Sequence, residues 1–330
     1  MDSSAHPAPH VTWKSGLPPH VDIYEVGPRD GLQNEMRTVS TRDKARLIEA
    51  LLAAGEARIE ATSFVSPKWI PQLADAEEVL KLVGHRPGAM LSALVPNLKG
   101  LERAKQAGLE EAAVFLSATE THSKKNINKS VDEALQAARE TTDEALKLGL
   151  RVRGYVSCVW GCPYEGDVPV EQVVKVCRQL SDYGIYQLSL GDTIGVGTPG
   201  QTAGLLEALL EYVPLPKLAL HLHDTRGTAL ANALVGLTYG VTTFDASIGG
   251  LGGCPYAPGA AGNLATEDLV YMLHGMGIDT GIDLDKLVEA GELAQELIGR
   301  KLSGKYLQAA LGEREKKAAR QRAVKATGTV

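Results

Sequence analysis

Eight times in succession, a short apolar run in this chain is followed by an amphipathic stretch with helical spacing. The apolar runs fall at residues 21–26, 58–63, 90–95, 111–116, 151–158, 186–190, 217–223 and 242–248. The helical stretches fall at 41–54, 73–83, 98–107, 131–148, 170–183, 201–212, 228–237 and 266–276. In the first helix, Ile48, Leu51 and Leu52 share one face and Gly55 supplies the stop. Strands that alternate with helices pair in parallel, because each helix returns the chain to the start of the next strand. Eight such units in about 260 residues predict a closed α/β fold, the (β/α)8 or TIM barrel, rather than an open doubly wound sheet. A dinucleotide-binding sheet would require Gly-x-Gly-x-x-Gly after its first strand. Gly27-Pro28-Arg29-Asp30-Gly31 does not match that turn.

The remainder divides simply. Residues 1–18 read as a flexible N-terminal segment, 19–300 as the barrel domain, and 301–330 as a helical or frayed tail. One or two extra helices are expected over 285–310, and the basic stretch 313–325 reads as a solvated, frayed helix. A net charge of −6 gives no broad basic field for nucleic acid. No run approaches the ~18 apolar residues of a membrane span. Residues 1–18 lack an apolar signal-peptide core, so a cytoplasmic location is expected. The cysteines are Cys158, Cys162, Cys177 and Cys254, and their spacing is not that of a structural zinc site. Cys177 is expected to be a small buried hydrophobe within a helix.

In such a barrel, chemistry sits at the carboxyl ends of the strands. There the sequence places Arg29 and Asp30, then Glu60, Arg153, Asp192, and the run His221-Leu222-His223-Asp224. Alternate residues of a strand share a face, so His221 and His223 point the same way. Taken alone, Asp30 would be a helix cap and Asn263 a turn residue. Beside two imidazoles, the Asp30 carboxylate and the Asn263 amide oxygen complete a mixed nitrogen and oxygen set. That set suits a divalent ion such as Mg²⁺ or Mn²⁺, with positions left for substrate oxygens. The glycine-rich residues 249–253 predict a mobile lid with Cys254 at its rim, placed to use its thiol.

Several long stretches resemble the 3-hydroxy-3-methylglutaryl-CoA lyases. They include Val26-Gly27-Pro28-Arg29-Asp30-Gly31-Leu32-Gln33-Asn34-Glu35 and Glu60-Ala61-Thr62-Ser63-Phe64-Val65-Ser66-Pro67-Lys68-Trp69. Others are Arg153-Gly154-Tyr155-Val156-Ser157-Cys158, Ser189-Leu190-Gly191-Asp192-Thr193, the His221 run, Gly252-Gly253-Cys254-Pro255-Tyr256-Ala257 and Gly262-Asn263-Leu264-Ala265-Thr266-Glu267-Asp268. The likeness runs from about residue 21 to 301. It implies a metal-dependent lyase that cleaves 3-hydroxy-3-methylglutaryl-CoA to acetyl-CoA and acetoacetate, as in leucine degradation and ketone-body formation. It implies Asp30, His221, His223 and Asn263 on the metal, Arg29 on the acyl-CoA substrate, and Cys254 as a catalytic thiol. Glu60 and Asp192 match further active-site acids of the family, and Arg153 is expected to contact substrate. A homodimer is the family expectation. Two departures stand out: Arg226 occupies a position often aromatic in the family, and no cysteine follows Cys254.

The implied reaction is a retro-Claisen cleavage. The tertiary hydroxyl loses its proton and C2 leaves as a thioester enolate. Asp30 and His221 are both candidates to take the proton. Arg29 faces the developing enolate charge, and Cys254 returns a proton to carbon. A related lyase for a longer branched acyl-CoA, such as isohexenylglutaryl-CoA, or a synthase condensing with a 2-oxo acid, would use much the same groups. A metallohydrolase usually carries its His-x-His pair on the first strand, where this chain has Arg29-Asp30.

Overall fold

Strand β1 (Asp22–Glu25) ends in a single π-helical turn, Gly27–Gly31, before α1 (Thr41–Ala53) carries the chain back to β2 (Arg58–Ser63). The structure is a computed structural model that describes residues 16–252 and 262–327. The alternation continues through α2 (Ala76–Val83), β3 (Met90–Leu94), α3 (Leu98–Gln106) and β4 (Glu111–Ser117). Two helices, α4 (Glu120–Ile127) and α5 (Val131–Lys147), precede β5 (Arg151–Ser157). A short hairpin of β6 (Gly161–Cys162) and β7 (Gly166–Asp167) then leads into α6 (Val170–Asp182). The last units are β8 (Gln187–Gly191), α7 (Pro199–Leu210), β9 (Leu218–His221), α8 (Ala229–Thr238), β10 (Thr243–Ala246) and α9 (Thr266–Gly275). Helices α10 (Leu284–Ile298) and α11 (Lys305–Thr327) come after the barrel.

Eight parallel strands close in the order β1-β10-β9-β8-β5-β4-β3-β2, and β2 pairs with β1. This is the (β/α)8 barrel expected from the alternation. Local chemistry fixes the helix starts. Ser130 and Glu133 form a reciprocal capping box on α5, and Thr198 and Gln201 form one on α7. The core lies between the barrel wall and the helix ring, where Leu51, Val79, Leu101, Leu180, Leu206 and Leu237 are buried.

The barrel interior is polar. Tyr24 donates to Ser92 and Glu111, and Arg153 donates to Gln187 and Asp245, all of them buried. Barrel interiors are more often layered with branched apolar side chains. Here every one of these groups finds a partner, as burial demands.

Several boundaries differ from expectation. The second helix begins at Ala76 because Pro71–Leu73 forms a separate 3-10 turn. Helix α4 was not expected: Glu120–Ile127 is polar except for Ile127 and buries chiefly His122 and Ser123, so it carries no apolar stripe. The seventh barrel strand stops at His221, with Leu215–Lys217 in a 3-10 turn before it. The basic tail lies on one helix, Lys305–Thr327.

Candidate active site

The π-helical turn after β1 aims two charged side chains across the barrel mouth. The Val26 carbonyl accepts from the N–H groups of Arg29, Asp30 and Gly31. Such turns insert an extra residue and re-aim the side chains beyond it. Gly27 is required there, because a Cβ would lie 2.5 Å from Glu25 Oε1.

Arg29 Nε donates to Glu60 Oε2 at 2.6 Å, and Arg29 Nη1 donates to Asp30 Oδ1 at 2.7 Å. Tyr155 donates to the same Glu60 oxygen at 3.0 Å. Glu60 Oε1 is buried with no hydrogen-bond partner, so this acid keeps one acceptor uncommitted. Burial pushes the Glu60 carboxyl upward despite the guanidinium beside it.

The other half of the site comes from β9. His221 ends the strand, and His223 lies just beyond it, bridged to Asn263. Their Nε2 atoms face each other at 3.3 Å, and Asp30 Oδ2 lies 4.0 Å from His221 Nε2. Ligand atoms of Asp30, His221 and His223 all lie within 4.8 Å of one another. Both imidazoles are nearly buried, whereas the Asp30 side chain is 25% exposed, which leaves the cluster open on one side.

Burial would raise the Asp30 carboxyl, but Arg29, His221 and His223 together hold it far below the usual range. Burial, with His221 adjacent, lowers His223 to about 4. Two imidazole nitrogens and the Asp30 Oδ2 oxygen, which Arg29 does not touch, are a donor set that fits a divalent ion. Asn263 stands at the edge of this set, donating from Nδ2 to Asp30 Oδ2 at 2.9 Å and to the Leu251 carbonyl at 3.1 Å. Turning that amide over would present Oδ1 to the same spot.

Arg153 lies inside the barrel, whereas Asp192 follows the carboxyl end of β8, where its N–H donates to the His221 carbonyl at 2.9 Å. Arg153 is fully buried and donates to Asp245 from Nη1 at 3.1 Å and Nη2 at 2.5 Å. Asp192 accepts from the N–H groups of Val196 and Gly197, both at 2.9 Å, and so organises the loop after β8. Arg226, at the position often aromatic in the family, fastens that loop by donating to the carbonyls of Ile194 and Gly195.

The glycine-rich segment expected to form a lid is described only in its first four residues. Its described residues, 249–252, are buried. A Cβ on Gly249, whose φ is +61°, would lie 2.5 Å from Leu302 Cδ1. Gly253 and Cys254 lie outside the described residues. Cys177 is buried within α6 as expected, and its thiol is pushed up to about 12 by burial.

Asp245 was not singled out from sequence. It accepts from His221 Nδ1 at 3.1 Å, from Ser189 at 2.6 Å and from Arg153. Burial would raise its carboxyl, but Arg153 and His221 hold it at about 2. The available signal was an acid within the strand Thr243-Phe244-Asp245-Ala246.

A parallel eight-stranded barrel with a histidine and carboxylate cluster at its mouth, flanked by a buried arginine–glutamate pair, defines a metal-dependent barrel enzyme. The chain belongs to the HMGL-like family, whose model matches residues 20–294. It is 53% identical over 293 residues to the mitochondrial hydroxymethylglutaryl-CoA lyase of Homo sapiens, covering 89% of this chain and 90% of that one. A crystal structure of the HMG-CoA lyase of Bacillus subtilis matches with a TM-score of 0.88 and 52% identity, over 89% of this chain and 98% of that one. An HMG-CoA lyase from Acinetobacter baumannii, in complex with coenzyme A and 3-methylmalate, matches with a TM-score of 0.84 and 38% identity, over 88% of this chain and 95% of that one.

Proposed function

We propose that this chain is a metal-dependent carbon–carbon lyase that cleaves 3-hydroxy-3-methylglutaryl-CoA to acetyl-CoA and acetoacetate. The observation that carries the reading is the convergence of Asp30, His221 and His223 from distant parts of the chain onto one point at the barrel mouth. Asn263, once its amide is turned, is the fourth candidate ligand. A divalent cation held there, Mg²⁺ or Mn²⁺, supplies Lewis-acid polarisation of substrate oxygens.

The chain's own groups account for the rest. Asp30 or His221 takes the proton from the C3 hydroxyl. The C2–C3 bond breaks, its electron pair passes to C2 as the thioester enolate, and C3 becomes the ketone of acetoacetate. Arg29, held rigid by Glu60 and Asp30, faces the oxygen where enolate charge builds, which favours the transition state over the ground state. Cys254 gives a proton to C2 and completes acetyl-CoA. Asp192, beside His221 at the end of β8, is a candidate substrate contact, and Arg153, the other, is held by Asp245 and Gln187 within the barrel. A place in leucine degradation, a cytoplasmic location and a homodimer accompany this reading. Among the described residues, no helix is long and apolar enough to cross a membrane.

The test is a coupled assay for acetoacetate released from 3-hydroxy-3-methylglutaryl-CoA, with and without chelator. Release that stops on chelation and returns with Mg²⁺ or Mn²⁺ supports the reading. Thioester hydrolysis without acetoacetate would revive the hydrolase.

A further inference from the structure

We propose that Asp245 is a positioning residue for His221, fixing the imidazole tautomer that leaves Nε2 bare and turned toward Asp30 and His223. The proposal rests on the reading of these three residues as the cation site. It starts from the hydrogen bonds around the Asp245 carboxylate. Arg153, which stays charged in proteins, donates to both of its oxygens, and Ser189 donates to Oδ2. An ionised carboxylate can only accept. The His221 Nδ1 atom lying 3.1 Å from Oδ2 therefore carries the hydrogen. An imidazole that binds a metal is neutral and has one N–H, so with Nδ1 protonated Nε2 keeps its lone pair. That lone pair is aimed where His223 Nε2 lies 3.3 Å away and Asp30 Oδ2 4.0 Å away.

The contact is written into the strand pairing. Asp245 and His221 are register partners across β10 and β9, so their side chains rise side by side on the same face of the barrel. Asp245 is buried, with its carboxylate taken up by protein donors. Its own orientation is fixed in turn by the two donors of Arg153, whose Nε is held by Gln187 at 2.9 Å. Metal-binding histidines commonly use their second nitrogen in this way, and the partner sets ring orientation and basicity. The same bond bears on the proton transfer. With Nδ1–H given to Asp245 and Nε2 given to the cation site, this tautomer narrows the two candidate bases to Asp30.

Asp245→Asn keeps the shape and removes the charge. One amide oxygen cannot serve Arg153, Ser189 and His221 together, and an amide NH2 turned to Nδ1 would force the hydrogen onto Nε2. Titration of the purified protein with Mn²⁺ should show affinity ~10–100-fold weaker for Asp245→Asn than for the wild type. Equal affinity in a folded variant overturns the proposal.

Because the substitution strands the Arg153 charge and can prevent folding, a measurement on the wild type decides independently. In ¹⁵N-histidine-labelled, metal-free protein, at a pH high enough to leave His221 neutral and with its signals assigned by their loss in His221→Gln, Nδ1 should be protonated and Nε2 bare. A hydrogen on Nε2 overturns the proposal. A purely structural role for Asp245 would not select the tautomer. Should the wild type bind no Mn²⁺, the cation site itself fails, while the tautomer still reports on Asp245.

Discussion

Asp30 lies in the turn after β1 and His221 is the last residue of β9, yet Asp30 Oδ2 lies 4.0 Å from His221 Nε2. Neither residue is close to the other in sequence, and only barrel closure through β10 joins them. The chemistry proposed for this chain is concentrated at that junction.

Arg29 is bonded to Glu60 and Asp30, and it is the one guanidinium among the residues proposed to face substrate. Arg29→Gln should lower kcat ~10²–10³-fold, the loss typical of one donor to a developing oxyanion. The change in KM should be smaller. Steady-state kinetics with 3-hydroxy-3-methylglutaryl-CoA measure both. A large rise in KM with kcat kept would instead mark Arg29 as a group that binds ground and transition states alike.

Cys254 is assigned the return of the proton to carbon. Cys254→Ala should slow turnover ~10²–10⁴-fold, the usual contribution of a general acid. Metal content by elemental analysis should not change. Full turnover in this variant would remove the thiol from the mechanism.

The buried carboxyls Glu25, Glu56 and Glu267 predict a stability that falls with rising pH. Glu25 accepts from the N–H groups of Gly27 and Ile248 and from the Thr266 hydroxyl, and Glu267 accepts from the Gly249 N–H. Neither oxygen of Glu56 has a hydrogen-bond partner. Burial raises all three, Glu267 to about 8 from an ordinary 4.5. The native state therefore binds these protons more tightly than the unfolded chain does. The stabilisation is complete below about pH 4.5 and is lost as pH climbs toward 8, by up to ~1.4 kcal/mol per pH unit for each carboxyl. Denaturant midpoints at pH 6 and pH 8 should show that fall, and Glu56→Gln should flatten it. An identical fall in Glu56→Gln would exclude Glu56 as a contributor.

The eight-unit architecture was legible because apolar runs and helical spacing are local properties. The His221 and His223 pair was legible for the same reason, since strand alternation sets them on one face. The π-helical turn that aims Arg29 and Asp30 was not, because no periodicity marks a five-residue turn. Asp245 was missed because its importance comes from pairing with His221 on another strand. That register exists only once the barrel closes. Arg153 stood out because it lies on a barrel strand within a family motif. Its partner Asp245, far along the chain, takes up the guanidinium inside the wall.

The count of tightly bound Mn²⁺ per chain tests the central claim most directly, measured for the wild type, Asp30→Asn and His223→Gln after removal of native metal. The account predicts one ion in the wild type. In either variant binding should weaken by more than the ~10–100-fold that loss of a supporting hydrogen bond causes. One ion held with undiminished affinity in both variants would contradict it.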